Sequence, residues 1–232
     1  MTIFSLQFAI EQFPAVLEAV PMTLTIAFVA MAFGMVLGFL LALCRIYKIP
    51  VLNRLTIIYV SFIRGTPLLV QLYVLFYGLP LCMETVHQWT GLHMPAAAVS
   101  PLAYALVAYT VNSTAYQSEI IRSSLKAIDI GQMEAAYACG MTTAQGLWRI
   151  VIPQALRIAL PNFGNVFIGL IKGTSLVFAV KVVEIMAVAK VIAGDGYRFL
   201  EMYFDASVLY WIICFLCERA IAVLEKKLRA KY

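Results

Sequence analysis

The run Ala19–Cys44 holds no Asp, Glu, Lys or Arg and is closed by Arg45, Lys48 and Arg54. As a helix rising ~1.5 Å per residue it reaches about 39 Å, enough to cross a hydrocarbon core of about 30 Å. The basic cluster at its end puts that end on the cytoplasmic side. The whole chain agrees: 63% of its 232 residues are hydrophobic and 12% charged, against about 25% charged in a soluble domain, which excludes a soluble globular fold. Its length leaves room for five or six spans with short loops and for no added catalytic domain, so we expect one polytopic domain over residues 1–232.

Further spans are expected over residues 67–81, 101–118, 159–180 and 206–224, beside the first over 19–44. Every intervening segment carries a consistent sign. No Lys or Arg precedes the first span or lies between Cys82 and Ala98, whereas Arg45–Arg64, the loop 122–157 and Lys226–Lys231 are basic. The chain therefore reads as an all-α membrane protein of five transmembrane helices, N-terminus outside and C-terminus cytoplasmic. Only Lys181–Asp205 is mixed in charge. The formal charge of +5 follows from this topology and gives no reason to expect nucleic acid as a partner. Asn53–Ile63 covers about 16 Å as a helix, too short to span. Gly65-Thr66-Pro67 reads as a helix start, with Thr66 as cap.

Chemistry-bearing patterns are few. Cys44, Cys139, Cys214 and Cys217 lie in or beside apolar helices or in a basic loop and leave Cys82 without an obvious partner, so the five make no disulfide framework, and Cys214-x-x-Cys217 lies inside an apolar helix. His87 and His93 read as polar loop residues. The first 18 residues contain Glu11 and Glu18 and no basic residue, the opposite of a signal peptide's n-region. Gly164 and Gly169 have the interval of a phosphate loop, but Leu170 stands where Lys is required. No H-E-x-x-H, no metal-spaced Cys and His, and no nucleophile beside a base is present, so we expect no enzyme and no cofactor in this chain. Gly34-x-x-x-Gly38 predicts close helix packing.

Lys172 stands out by depth, about 22 Å from Arg157 along the helix, where an ionisable group costs about 2.5–3.5 kcal/mol to insert. A buried cation there suits a substrate carboxylate. Asn112, Tyr116 and Glu119 recur at i, i+4 and i+7 as one polar stripe in an apolar helix; Glu119 can also pair with Arg122. Thr174 and Ser175 lie beside Lys172, and Arg64, Thr66 and Gln71 toward the inner gate. Interhelical hydrogen bonding is the plainer explanation of such a stripe.

The cytoplasmic loop is the most informative stretch. Asp129–Gln132 reads as a capping-box-like start, Gly140 as a stop, and Thr142 or Thr143 as the cap of a second short helix, Ala144–Ile152, interrupted by Pro153. A hinged helix at that surface can receive a push from a soluble partner. Neither a channel nor a scaffold needs one, and a proton-coupled carrier should show several intramembrane carboxylates, for which Glu119 is the only candidate.

Glu134-Ala135-Ala136, Gly140, Ile150 and Ile152-Pro153 resemble the EAA loop of ABC importer permeases, with Ile152 in the usual Leu position. Arg64-Gly65-Thr66-Pro67-Leu68-Leu69-Val70-Gln71, Tyr77-Gly78-Leu79-Pro80, Gly131-Gln132 and Lys172-Gly173-Thr174-Ser175-Leu176 are similar to the polar amino acid branch of that family. Gly173 departs from it, since Asp or another polar residue is common there. The resemblance implies a bacterial cytoplasmic membrane protein, pairing with a second copy or a paralogue among membrane lipid. It also implies an extracytoplasmic binding protein that delivers a polar amino acid, and an ABC ATPase that binds ATP and Mg and docks on Glu134, Ala135, Ala136, Gly140, Ile150 and Pro153. Met202-Tyr203-Phe204 through Tyr210-Trp211 is similar to cystine permeases; glutamine, glutamate and basic amino acids stay open.

Overall fold

Long apolar stretches joined by short breaker-rich turns leave the backbone one economical solution, and the computed structural model, which describes residues 4–91 and 99–230, is helical with no strand among those residues. Ser5 accepts from the Phe8 N–H and opens α1 (Leu6–Leu17). A turn at Glu18 and Ala19 leads into α2 (Val20–Ile46), with Pro21 in its first turn, where a missing N–H costs nothing. Then follow α3 (Leu52–Gly65), α4 (Leu68–Thr90) and α5 (Pro101–Lys126, capped by Ser100). The short α6 (Gly131–Ala138) and α7 (Thr143–Gly146) precede α8 (Ile152–Gly173), α9 (Ile185–Gly196) and α10 (Phe199–Ala230).

Among the described residues, four helical stretches are long and apolar enough to cross a membrane: Val20–Ile46, Leu68–Thr90, Thr143–Val180 and Phe199–Leu228. The remaining expected span falls on α5, which is 26 residues long but more polar. Its polarity is turned inward. Ser113, Thr114, Gln117 and Ser118 are buried, and the Gln117 amide donates to the Met31 carbonyl of α2 at 3.0 Å. α5 is the helix around which α2, α3, α4 and α8 pack. The main core joins Ile26, Ala30, Leu72, Ala108, Tyr109 and Ile171, while α1, α9 and α10 share a second core of Val16, Ile185, Ala189, Met202 and Leu209. Phe28, Phe33, Ile58, Val74 and Trp211 stay exposed, as expected of an apolar surface that meets lipid.

The α2–α5 seam is tight because α2 presents Thr23, Ala27, Ala30, Gly34, Gly38 and Ala42, small residues at helical spacing. A Cβ on Gly34 would lie 2.6 Å from Ser113 Oγ, and one on Gly38 would lie 3.0 Å from the Ser118 backbone nitrogen. The packing role expected of this pair therefore holds.

Three local expectations are corrected. The segment from Cys82 is not a loop: α4 continues through Pro80 to Thr90 and stops at Gly91, left-handed at φ 69°, whose N–H bonds the His87 carbonyl. Polar residues there ended the apolar run without ending the helix; His93 lies outside the described residues. Thr66 does not cap α4. It closes α3 by donating to the Phe62 carbonyl at 2.9 Å, and the α4 N-cap is Pro67. Pro153 does not interrupt the helix before it. A five-residue π turn, Leu147–Val151, widens the backbone, and Pro153 falls at the second position of α8, so helical structure runs unbroken from Thr143 through a 3₁₀ stretch, Thr174–Val180.

Gly38→Leu is expected to overpack the seam and cost about 1–3 kcal/mol. A lowered thermal midpoint of the detergent-solubilised protein checks this, with Gly194→Ala, whose Cβ would meet nothing within 4 Å, as the unaffected control.

Candidate functional site

Two features gather the polar residues. The first is the segment 127–157. Asp129 Oδ1 accepts the Gly131 N–H at 2.7 Å, which turns the chain into α6, but no side chain caps that helix; the reciprocal capping box is one helix later, between Thr142 and Gln145. Glu134 sits exposed in the first turn of α6, where the helix dipole favours an acid. Ala135 is exposed beside it. Ala136 is buried against the next helix, since a Cβ on Gly146 would lie 3.3 Å from its own Cβ. Gly140 is left-handed at φ 76° and turns the chain from α6 toward α7.

Gln154 donates to Gln132 Oε1 at 3.1 Å and to the Ile150 carbonyl at 3.0 Å, tying α6 to the start of α8. A cleft of about 290 Å³ opens there, lined by Gln132, Arg149, Ile150, Pro153, Gln154 and Arg157. Trp148, 72% exposed, projects from the same segment. Its signal in the sequence was a tryptophan inside a loop, and sequence reasoning passed over it.

The second feature is a set of polar groups in the helix bundle, which divides into three. Arg64, Thr66, Gln71, Asn112 and Tyr116 come together. Gln71 is buried and donates to the Ile63 carbonyl (2.7 Å) and to Thr66 Oγ1 (2.8 Å); its Oε1 accepts from Asn112 at 2.9 Å; and the Arg64 guanidinium lies 5.3 Å from the Tyr116 ring centroid. These bonds lock α3, α4 and α5, the interhelical role weighed against substrate contact. Glu119 is held apart from them, in an ion pair with Arg45 of α2 and in a second with Arg122 at 2.6 Å. Arg122 was foreseen. Arg45 was not, although it is the first charge after the apolar run.

Lys172 is exposed in the single chain, which corrects the expectation of a buried cation. It lies on one face of α8 with Asn162, Asn165 and Gly169, all exposed, at i, i+3, i+7 and i+10. The two asparagines carry the same periodicity in the sequence and went unused. Ser175 donates to the Lys172 carbonyl at 2.9 Å. Thr174 turns the other way, buried, with its hydroxyl bonded to the Ile171 carbonyl. Gly173 accepts from Tyr109 Oη at 2.5 Å through its carbonyl, and a Cβ there would sit in ordinary contact with Leu68 and Tyr109. A polar edge on a lipid-length helix is costly against hydrocarbon, so it faces either a water-filled path or another protein surface.

Residues 34–230 match the family model described as "Binding-protein-dependent transport system inner membrane component". The chain is 37% identical over 226 residues to the probable amino-acid permease protein YxeN of Bacillus subtilis, covering 97% of this chain and 96% of that one. It is 38% identical over 217 residues to the L-cystine transport system permease protein TcyL of the same organism, covering 93% and 88%. The crystal structure of an amino acid ABC transporter with histidines superposes with a TM-score of 0.82 at 30% identity, over 98% of this chain and 100% of that one. The chain belongs to the family of binding-protein-dependent transport system inner membrane components, and within it to the multi-pass permeases of amino-acid ABC transporters.

Proposed function

We propose that this permease is the membrane subunit of an ATP-driven importer of a polar L-amino acid in the bacterial cytoplasmic membrane. A second copy or a paralogue completes the path. One observation carries the reading: α6, with Glu134 exposed, is joined through the Thr142–Gln145 capping box to one unbroken helical rod of 38 residues that bears the Asn162–Lys172 edge. A thrust applied at the loop reaches that edge through continuous hydrogen-bonded backbone. An ABC ATPase, holding ATP and Mg, docks on Glu134, Ala135 and Gly140, and Trp148 supplies an aromatic anchor of the kind that protein contacts favour. Ala136, Ile150 and Pro153 shape the segment from behind.

The path runs along Lys172, Ser175 and the α8 asparagines. The ammonium meets the substrate carboxylate, and an extracytoplasmic binding protein delivers the cargo. The alternation of Lys and Arg between loops supports five spans with the N-terminus outside, α5 being the inward-turned one. The likeness to an L-cystine permease supports cystine as cargo, with glutamine, glutamate and basic amino acids as the other members of the class.

Glu134→Lys should insert normally and yet lose coupling. In proteoliposomes containing the partner ATPase and binding protein, substrate-stimulated hydrolysis falls to the rate of the ATPase alone; unchanged uptake would refute the assignment. Lys172→Ala should raise the half-saturating substrate concentration by roughly tenfold or more, the worth of a charge-assisted contact, while the yield of assembled complex stays the same.

A further inference from the structure

Glu184 is an acid with no exposed surface and no cationic partner: the ion pairs among the described residues are Arg45–Glu119, Arg122–Glu119 and Arg198–Glu201. Lys181 and Lys190, its neighbours in sequence, are exposed, and Lys190 lies over the Phe178 ring. Burying a carboxyl group this way is expensive unless its oxygens are occupied.

They are occupied by three different helices. Oε2 accepts from Tyr210 Oη of α10 at 2.5 Å and from Thr23 Oγ1 of α2 at 3.4 Å, and Oε1 accepts from the Ala187 N–H at the start of α9 at 3.0 Å. Tyr210 Oη is also 3.5 Å from Thr174 Oγ1, the first residue of the 3₁₀ stretch. On the other side, Tyr109 Oη of α5 donates to the Gly173 carbonyl. Helical structure stops at Val180, six residues beyond Thr174, and Lys181 follows with φ 64°. An apolar side chain at 184 could fill the same space, but only two acceptor oxygens can tie three donors from three elements.

The place of this cluster gives it a task. The rod Thr143–Val180 is about 57 Å long at ~1.5 Å per residue. Its near end carries the docking segment, and the Glu184 cluster reaches it through Tyr210 at Thr174, two residues beyond Lys172 and six short of its last residue. A lever displaced at one end tilts along its length only if it is held at a point farther on. We infer that the Glu184 carboxylate, acting through Tyr210, anchors the rod just beyond Lys172, a positioning residue that converts displacement of the loop into a tilt of the Asn162–Lys172 edge. The inference rests on the reading of this chain as an importer permease driven through Glu134.

The test is the number of ATP molecules hydrolysed per amino acid imported by the full transporter in proteoliposomes. The probes are radiolabelled cystine, glutamine, glutamate and arginine in turn, with uptake by the wild type choosing among them. Glu184→Ala is expected to keep substrate-stimulated hydrolysis within about twofold of wild type while ATP per amino acid rises about fivefold or more, the scale of one lost hydrogen bond. Glu184→Gln, which keeps an acceptor oxygen in the same shape, should shift the ratio less. A wild-type ratio in Glu184→Ala overturns the inference, and so does parallel loss of hydrolysis and uptake, which marks a purely structural role. If Glu184→Ala does not assemble, Tyr210→Phe decides: a raised ratio supports the anchor and an unchanged ratio refutes it. Failure of the underlying reading looks different, as absence of ATP-dependent uptake in the wild type or full coupling in Glu134→Lys.

Discussion

The approach of α2 to α5 governs the rest of the bundle. Where Gly34 and Gly38 face Ser113 and Ser118, the absence of a Cβ lets two backbones meet at a distance that side chains would forbid. Lipid offers no hydrophobic drive for one helix to prefer another over the surrounding tails, so dense contact and inward hydrogen bonds must supply it. The Gln117–Met31 bond and the Arg45–Glu119 ion pair add direction to that contact at successive levels of the same seam. Once α5 is fixed against α2, its other faces become the template for α3, α4 and α8, through Tyr59 to the Val111 carbonyl, Gln71 to Asn112, and Gly173 to Tyr109.

The bundle thus separates a densely cross-tied part from a more lightly attached one. The helices around α5 are cross-tied by buried amide and hydroxyl bonds, whereas α6 leans on the helical stretch after it through Met133 and Ala136 against Gly146 and through exposed Tyr137–Thr143 and Gln132–Gln154 bonds. That contrast suits a subunit whose work arrives from outside. Under the proposed coupling through Glu134, light attachment of α6 beside a rigid bundle lets motion enter where resistance is least.

Much of this architecture was readable from charge and spacing. The uncharged run Ala19–Cys44, the basic loops and the Glu134-to-Gly140 interval are local properties of the chain, and α2, α6 and the left-handed Gly140 follow from them. What resisted reading depends on partners distant in sequence. α5 looks only moderately apolar because its hydroxyl and amide groups are spent on neighbours that no local pattern names. Lys172 reads as buried by depth along its helix, yet depth says nothing of azimuth, and it is the face shared with Asn162 and Asn165 that leaves it uncovered. Glu184 looked like one charge in a mixed segment because Thr23 and Tyr210, which account for it, enter from opposite ends of the chain.

The π turn at Leu147–Val151 adds a residue to one helical circuit of the long rod, just before α8 begins. Each residue in an α-helix advances the phase by about 100°. Removing that surplus by a one-residue deletion would leave the rod's composition, length and hydrogen bonding almost untouched while spinning everything beyond it by more than a quarter of a revolution. Lys172 would then point among its own neighbouring helices. The bulge therefore works as a phase setting, and a single residue gained or lost at this point turns the polar edge of α8 relative to the helix before it.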